Sequence, residues 1–249
     1  MTARPESVVV IGATSSIARA LAGRFAARGA RLHLAARDDR ELGRIAGDLR
    51  VRHGATVTWS RFEAGDRASH AGLVAEALRE LGGLAVVVLA VGELGDQRRA
   101  EQDVEHAEAI IDSNYAGPVS VLTHVANAMA AAGAGRLACL LSVAGDRGRP
   151  KNYVYGSAKG GLDVFLEGLR ARLWKSGVRV ISVKLGFVDT KMTFGQPGML
   201  LVASPERAAA GVLSAIDRGR DVAYVPGFWR PAMLAIRSLP RPLFKRLDL

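Results

Sequence analysis

The chain has 249 residues, 49% of them hydrophobic, with 28 glycines and a formal net charge of +10. That length and apolar content suit one large α/β domain with a substantial core and exclude a disordered chain. The single cysteine, Cys139, excludes an intrachain disulfide framework, and apolar runs such as Leu84–Val91 fall far short of the ~20 residues that span a bilayer.

In chain order, apolar runs alternate with amphipathic stretches. The pattern predicts strand Ser7–Gly12, helix Ser15–Arg28, strand Arg31–Ala36 and helix Asp39–His53. Strand Thr56–Phe62, helix Ala68–Leu81 and strand Leu84–Ala90 follow. Glu101–Ala132 reads as one long or bent helix with Gly117-Pro118 inside it. Then come strand Leu137–Leu141, helix Tyr153–Lys175, strand Val178–Leu185, helix Pro205–Arg218 and strand Asp221–Val225. Trp229–Leu247 reads as a broken helical tail. Strands separated by helices of this length pair in parallel, so one doubly wound, seven-stranded parallel sheet is expected. No linker or internal repeat divides it. Residues 1–228 form the domain, and 229–249 are a basic amphipathic extension of it.

The basic charge invites a nucleic-acid or anionic-membrane partner. It is mostly arginine scattered over helix faces, with no aromatic-basic interleave or recognition-helix motif, so no nucleic-acid partner is expected. The apolar run after Arg4 is shorter than a secretory core and no small-residue cleavage site follows it. The expected location is cytoplasmic, with or without peripheral contact to a membrane. No metal is expected. Cys139, inside an apolar run, reads as core filler.

The first strand leads into Ile11–Ala18, I-G-A-T-S-S-I-A. A small-residue turn entering a helix lets backbone N–H groups and the helix dipole meet a pyrophosphate. Gly12 allows the turn, and Thr14, Ser15 and Ser16 offer hydroxyls. The bland alternative is a plain strand-to-helix connection. The second strand ends A-A-R-D. Ala36 stands where an acid would bind a ribose 2′-OH, and Arg37 can accept a 2′-phosphate. NADP(H) is therefore favoured, while Asp38 keeps NAD(H) open.

The densest chemistry lies in Ser142–Lys159, S-V-A-G-D-R-G-R-P-K-N-Y-V-Y-G-S-A-K. Ser142 is expected just past the end of a strand, where open α/β sheets bind ligands. Tyr155 and Lys159 are four apart, hence on one helix face. A phenol with an ordinary pKa of ~10 is a poor proton donor, and a neighbouring ammonium is expected to lower it. A serine hydroxyl can orient a carbonyl. Together these groups would protonate a carbonyl oxygen as hydride reaches its carbon. The bland alternative is an amphipathic helix with a surface lysine.

Taken together, Gly12, Asn114 in D-S-N-Y-A-G-P, Ser142, Tyr155-x-x-x-Lys159 and L-G-F-V-D-T (Leu185–Thr190) resemble the short-chain dehydrogenase/reductase family over the whole chain. The resemblance implies a single-domain Rossmann fold and a homo-oligomer. It implies Tyr155 as proton donor, Lys159 on the nicotinamide ribose and lowering the Tyr155 pKa, Ser142 on the carbonyl and Asn114 holding a relay water. It further implies dinucleotide contacts from Gly12, Thr14, Ser15, Ser16, Ile17 and Arg37. Glu63 and Ala64 would lie near the adenine. Ala90, Val91 and Gly92 would contact the dinucleotide, and Gly186, Val188 and Thr190 would border the nicotinamide.

Two motifs depart from the common branches: Ser16 and Ala18 replace glycines, and Ala90-Val91-Gly92 replaces Asn-Asn-Ala-Gly. With L-A-V-G-E-L-G-D, N-Y-A-G-P-V-S-V-L and the tail F-W-R-P-A-M-L-A-I-R-S-L-P-R-P-L-F-K-R-L, they resemble the decaprenylphosphoryl-2-keto-ribose reductase branch. That resemblance implies reduction of a 2-keto-pentose on a polyprenyl phosphate, completing a ribose-to-arabinose epimerisation after a flavin-dependent oxidase partner. The branch is commonly NADH-linked, against the reading of Arg37. In the tail, Met233, Leu234, Ile236, Leu239, Leu243, Phe244 and Leu247 alternate with Arg230, Arg237, Arg241, Lys245 and Arg246. Such a segment suits an anionic membrane surface, or covers the substrate cleft or a subunit interface.

Other readings stay open: a generic short-chain reductase for a ketoacyl thioester, sugar nucleotide or small ketone, a dinucleotide-sensing regulator, or a nucleic-acid binder. The substrate loop, about Met192 to Ala203, names no ligand.

Overall fold

Short apolar runs become strands, and the longer amphipathic stretches between them become helices. The computed structural model describes residues 6–192 and 201–247, so most of the expected substrate loop lies outside the described residues. The elements are β1 (Ser7–Ile11), α1 (Ser16–Ala26), β2 (Arg31–Ala36), α2 (Asp39–His53), β3 (Val57–Arg61), α3 (His70–Leu81) and β4 (Val86–Leu89). Next come α4 (Gln97–Ala100), α5 (Val104–Ile111), α6 (Gly117–Ala132), β5 (Gly135–Ser142), α7 (Tyr153–Leu173) and β6 (Val178–Leu185). The chain continues with α8 (Pro205–Asp217), β7 (Val222–Val225), α9 (Trp229–Ser238) and α10 (Arg241–Phe244).

All seven strands pair in parallel, in the order β3-β2-β1-β4-β5-β6-β7. The expected single doubly wound α/β domain is what forms. Winding runs from β1 outward to β3, then restarts on the other side of β1 with β4. The crevice of an open α/β sheet falls at such a reversal, so the C-terminal ends of β1 and β4 mark the binding edge.

The period-2 strand pattern builds a core on each face. Val8 and Val10 pack with α1, α2 and α8 on one side. Val9 and Ile11 pack with α3, α6 and α7 on the other. Because both faces are covered, the central strands read as continuous apolar runs rather than alternations. Cys139 is fully buried on β5, and burial pushes its thiol up to about 12, so it stays neutral filler.

Two boundaries near the site differ from the sequence pattern. Ser142 is the last residue of β5, because that strand pairs with β6 as far as Ser142 opposite Leu185. The expected helix 101–132 starts at Val104 and is broken by a π-helical turn, Asp112–Ala116, between α5 and α6. Asn114 sits on that turn, so the irregularity precedes Gly117-Pro118. The tail is broken as the pattern predicts, at Leu239-Pro240, where extended backbone ends α9.

That tail is docked. Met233 is fully buried, and the Arg147 guanidinium donates to the carbonyls of Ile236 and, at 3.2 Å, Arg237. The same guanidinium stacks 3.7 Å from the centre of the Phe244 ring.

Candidate active site

The turn after β1 is shaped by close approach. Gly12 has φ +85°, and a Cβ there would lie 2.5 Å from the Ala90 carbonyl oxygen. Only glycine lets this turn cross the end of β4. Gly12 and Ala13 donate to the Ala35 carbonyl at 2.7 and 3.1 Å, while Ala90 donates to the Ile11 carbonyl at 2.7 Å. Ser15 is the N-cap of α1, its Oγ accepting from the Ala18 amide at 3.1 Å. Amides in the first helical turn have no intrahelical acceptor, so those of Ser16 and Ile17 are aimed at the crevice. Thr14 is exposed, and the Ile17 side chain is buried in the core.

At the end of β2, the two candidates for nucleotide choice separate. Asp38 caps α2, its Oδ1 accepting from the Glu41 amide at 3.0 Å. Arg37 is exposed and makes no ion pair among the described residues. Glu63 and Ala64 follow β3. His70 hydrogen-bonds the Glu63 carbonyl at 3.0 Å, and Gly117 packs against the Ala64 carbonyl.

Around the ends of β4 and β5, four expected residues converge. Asn114 is fully buried; its Nδ2 donates to the Glu93 carbonyl at 2.6 Å and the Ile110 carbonyl at 2.8 Å. Its Oδ1 accepts from the Glu93 amide at 3.2 Å. The Lys159 ammonium donates to the Val91 carbonyl at 2.9 Å. A Cβ on Gly92 would stand 2.8 Å from both Asn114 Oδ1 and Lys159 Nζ, so this glycine is where amide and ammonium meet. Tyr155 lies one turn before Lys159 on α7, and the Ser142 hydroxyl is near enough to its phenol to draw the phenol pKa downward.

The electrostatics correct one expectation. The Tyr155 phenol is pushed up to about 12, not down: burial dominates, and the Ser142 hydroxyl opposes it. Lys159 does not lower it here, because its ammonium is spent on Val91 and sits 5.8 Å from the centre of the Tyr155 ring. Burial brings Lys159 itself down to about 8. At neutral pH the pair is thus a protonated phenol beside a cation that can lose its proton slightly above neutrality.

Past β6, Gly186 donates to the Val225 carbonyl at 3.0 Å, and buried Val188 forms a bridge with Ala203. Thr190 is half-buried close by in sequence. A Cβ on Gly186 would fall 1.8 Å from Trp229 Nε1, so the first residue of α9 lies flat on this turn. That indole nitrogen is buried without a hydrogen-bond partner among the described residues, and its ring meets Phe187 edge-on at 5.5 Å. Sequence reasoning did not place Trp229 at the site. A cavity of about 410 Å³ opens beside the start of α7, lined by residues 94–98, Lys151 and Asn152.

Residues 6–197 match the short chain dehydrogenase family. The chain belongs to the short-chain dehydrogenase/reductase family. An uncharacterized oxidoreductase of Mycobacterium tuberculosis is 45% identical over 240 residues, 96% of each chain. Another, from Streptomyces coelicolor, is 40% identical over 246 residues, covering 98% of this chain and 96% of the relative. Among solved structures, levodione reductase superposes with a TM-score of 0.81 at 21% identity, covering 89% of this chain and 97% of that one. A short-chain type dehydrogenase/reductase from Mycobacterium ulcerans gives 0.80 at 20% identity, covering 90% of each. Those two likenesses concern the fold. This short-chain dehydrogenase/reductase is an NAD(P)-dependent oxidoreductase acting on a small molecule. The residues fit the dinucleotide: the Gly12 turn enters α1 at the reversal point, where the first-turn amides of Ser16 and Ile17 have no intrahelical acceptor, and Gly92 lets the backbone pass close to Asn114 and Lys159.

Proposed function

We propose that this enzyme reduces a keto group with NADPH, and that its substrate is the 2-keto-pentose of a polyprenyl-phosphate sugar. The observation that carries the reductase reading is the convergence of Ser142, Tyr155, Lys159 and Asn114 beside the Gly12 turn. A bound NADPH supplies the hydride. The Ser142 hydroxyl donates to the substrate carbonyl and holds its carbon in line. Tyr155, protonated at neutral pH, gives its proton to the oxygen as charge develops there. Lys159 binds the nicotinamide ribose. Asn114 fixes the Glu93 backbone and a relay water that returns the proton. Gly186, Val188 and Thr190 border the nicotinamide, and Glu63 and Ala64 the adenine. Arg37, exposed and without an ion pair among the described residues, receives the 2′-phosphate, while Asp38 is occupied as a helix cap.

Support for the lipid-linked sugar comes from the tail. Leu234, Leu243 and Leu247 stay exposed beside Arg230, Arg237, Arg241, Lys245 and Arg246, a surface suited to an anionic bilayer that holds the lipid. No described helix is long and apolar enough to cross a membrane. A flavin-dependent oxidase would supply the ketone, and the enzyme would work as a homo-oligomer, as its family often does.

Purified enzyme is assayed with NADPH and NADH on polyprenyl-phosphoryl 2-keto-pentose, on its lipid-free analogue and on a vicinal diketone. The proposal expects NADPH oxidation on all three, fastest with the lipid-linked sugar, and loss of turnover in Tyr155→Phe with dinucleotide binding retained. Turnover of the diketone alone leaves a generic carbonyl reductase. Full activity of Tyr155→Phe removes the mechanism.

A further inference from the structure

Behind Ser142, a lysine, two aspartates and a tyrosine from four elements meet. Lys184 Nζ on β6 lies 2.5 Å from Asp146 Oδ1 and 2.8 Å from Asp163 Oδ2. Asp146 also accepts a hydrogen bond from the Tyr224 hydroxyl on β7 at 2.7 Å. The Asp146 side chain is 1% exposed and that of Lys184 is 9%. Burial alone would lower the Lys184 pKa, yet the two carboxylates outweigh it and raise it, so the cluster is ionic.

Such a cluster is a poor device for stability. Removing charges from water costs several kcal/mol per ion, and well-packed apolar residues of similar volume often do as well or better. Lys184 interrupts an otherwise apolar strand end, with Val183 and Leu185 on either side. What the ions add is direction, since a charged pair fixes the relative position of the elements that carry it.

Those elements are the catalytic ones. Asp146 closes the short 3₁₀ turn Val143–Asp146 that begins at Ser142. Asp163 stands one helical turn beyond Lys159 and two beyond Tyr155, on the same face of α7. The turn lies directly on α7. A Cβ on Gly156 would come 2.8 Å from the Ala144 oxygen, and one on Gly160 would come 2.8 Å from the Gly145 oxygen. This backbone contact sets how closely turn and helix approach, but it resists sliding along the helix weakly. Lys184, anchored in the sheet and bonded to both, stops that sliding.

We propose that Lys184 is a positioning residue: by clamping Asp146 to Asp163, it holds the Ser142 turn in register with α7 and so aligns the Ser142 hydroxyl with the Tyr155 phenol. This rests on the roles given above to Ser142 and Tyr155.

The test uses NADPH and an aromatic vicinal diketone as carbonyl probe. Wild-type turnover that Tyr155→Phe abolishes first establishes the underlying reading, separately from the clamp. Lys184→Met is then expected to lower kcat about tenfold, with NADPH affinity and diketone KM within about twofold of wild type, and to lower the melting temperature, because Asp146 is left buried without its cation. In a Ser142→Ala background the same substitution is expected to change kcat less than about twofold, because the residue acts through that hydroxyl. An unchanged kcat in Lys184→Met, or a full loss that persists without Ser142, overturns the proposal. Should Lys184→Met not fold, Asp163→Asn takes its place in the same cycle. Failure of both to fold assigns the cluster to stability and overturns the proposal as well. Where the wild type does not turn over the probe, crystal structures decide: the Ser142 turn is expected to be shifted along α7 in Lys184→Met, and an unshifted turn refutes the clamp.

Discussion

Lys159 is the most informative single position, because one substitution there is expected to raise stability while ending activity. Its side chain is 3% exposed, and burial brings its pKa from 10.5 down to about 8. At about 1.4 kcal/mol per pH unit, holding that cation in the interior costs roughly 3 kcal/mol at neutral pH. Lys159→Met removes the charge and keeps most of the volume. It also strips the Val91 carbonyl of its donor at 2.9 Å, which costs about 1–2 kcal/mol. The net expectation is a variant more stable than wild type by about 1–2 kcal/mol at pH 7 and inactive as a reductase.

The pH dependence follows from the direction of the shift. Below about 8 the ammonium is charged in both folded and unfolded chains, and the burial cost is fully present. Between about 8 and 10.5 the folded protein has released the proton while the unfolded chain still holds it, so wild-type stability rises with pH. Above 10.5 both are neutral and the cost is gone. Urea unfolding of wild type and Lys159→Met at several pH values from 6 to about 11 measures the gap, which should narrow across that window. A methionine variant that is less stable at pH 7, or a gap that does not move with pH, refutes the reasoning.

Three more outcomes are expected. Reduction should be fastest below about 8 and decline as pH rises through it, because Lys159 then loses the ammonium proposed to bind the nicotinamide ribose; a pH profile of kcat/KM reads this directly. Arg37→Ala should weaken NADPH roughly 10- to 100-fold, the loss of a charge-assisted phosphate contact, and leave NADH within about twofold, as judged from the two KM values. Gly186→Ala should displace the Trp229 indole, since the new Cβ would stand 1.8 Å from Nε1; a shift in tryptophan emission and faster proteolysis of the tail would report it.

The fold was legible because its signal is coarse. Alternating apolar and amphipathic stretches specify parallel strands joined by helices, and small errors of boundary do not change that. The candidate site was legible where spacing alone fixes geometry. Tyr155 and Lys159 share a helix face whatever surrounds them, and Gly12 follows the first strand. What spacing cannot carry is solvation. The expectation that Lys159 would pull the Tyr155 pKa down treated two charges on one face as if no interior existed. The interior sends the phenol up to about 12 and ties the ammonium to Val91. The π turn at Asp112–Ala116 was hidden for a related reason: the apolar pattern runs through it, and only the Asn114 contacts to Glu93 reveal that the backbone opens there.

Lys184 marks the same limit in the sheet. A lysine one residue from the end of an apolar strand reads as the point where the strand emerges into water. Its partners are 38 and 21 positions away in sequence, on elements whose relative height no local pattern encodes. One signal was present in the chain: Asp163 continues the i, i+4 stripe that begins at Tyr155 and Lys159, placing a carboxylate on an otherwise core-facing line of α7. A half-buried carboxylate on that line favours a cation beside it, and among the strands whose C-terminal ends adjoin α7 only β6 offers one at that level. The Tyr155–Lys159 stripe therefore has a third member, and that member is tied to the sheet.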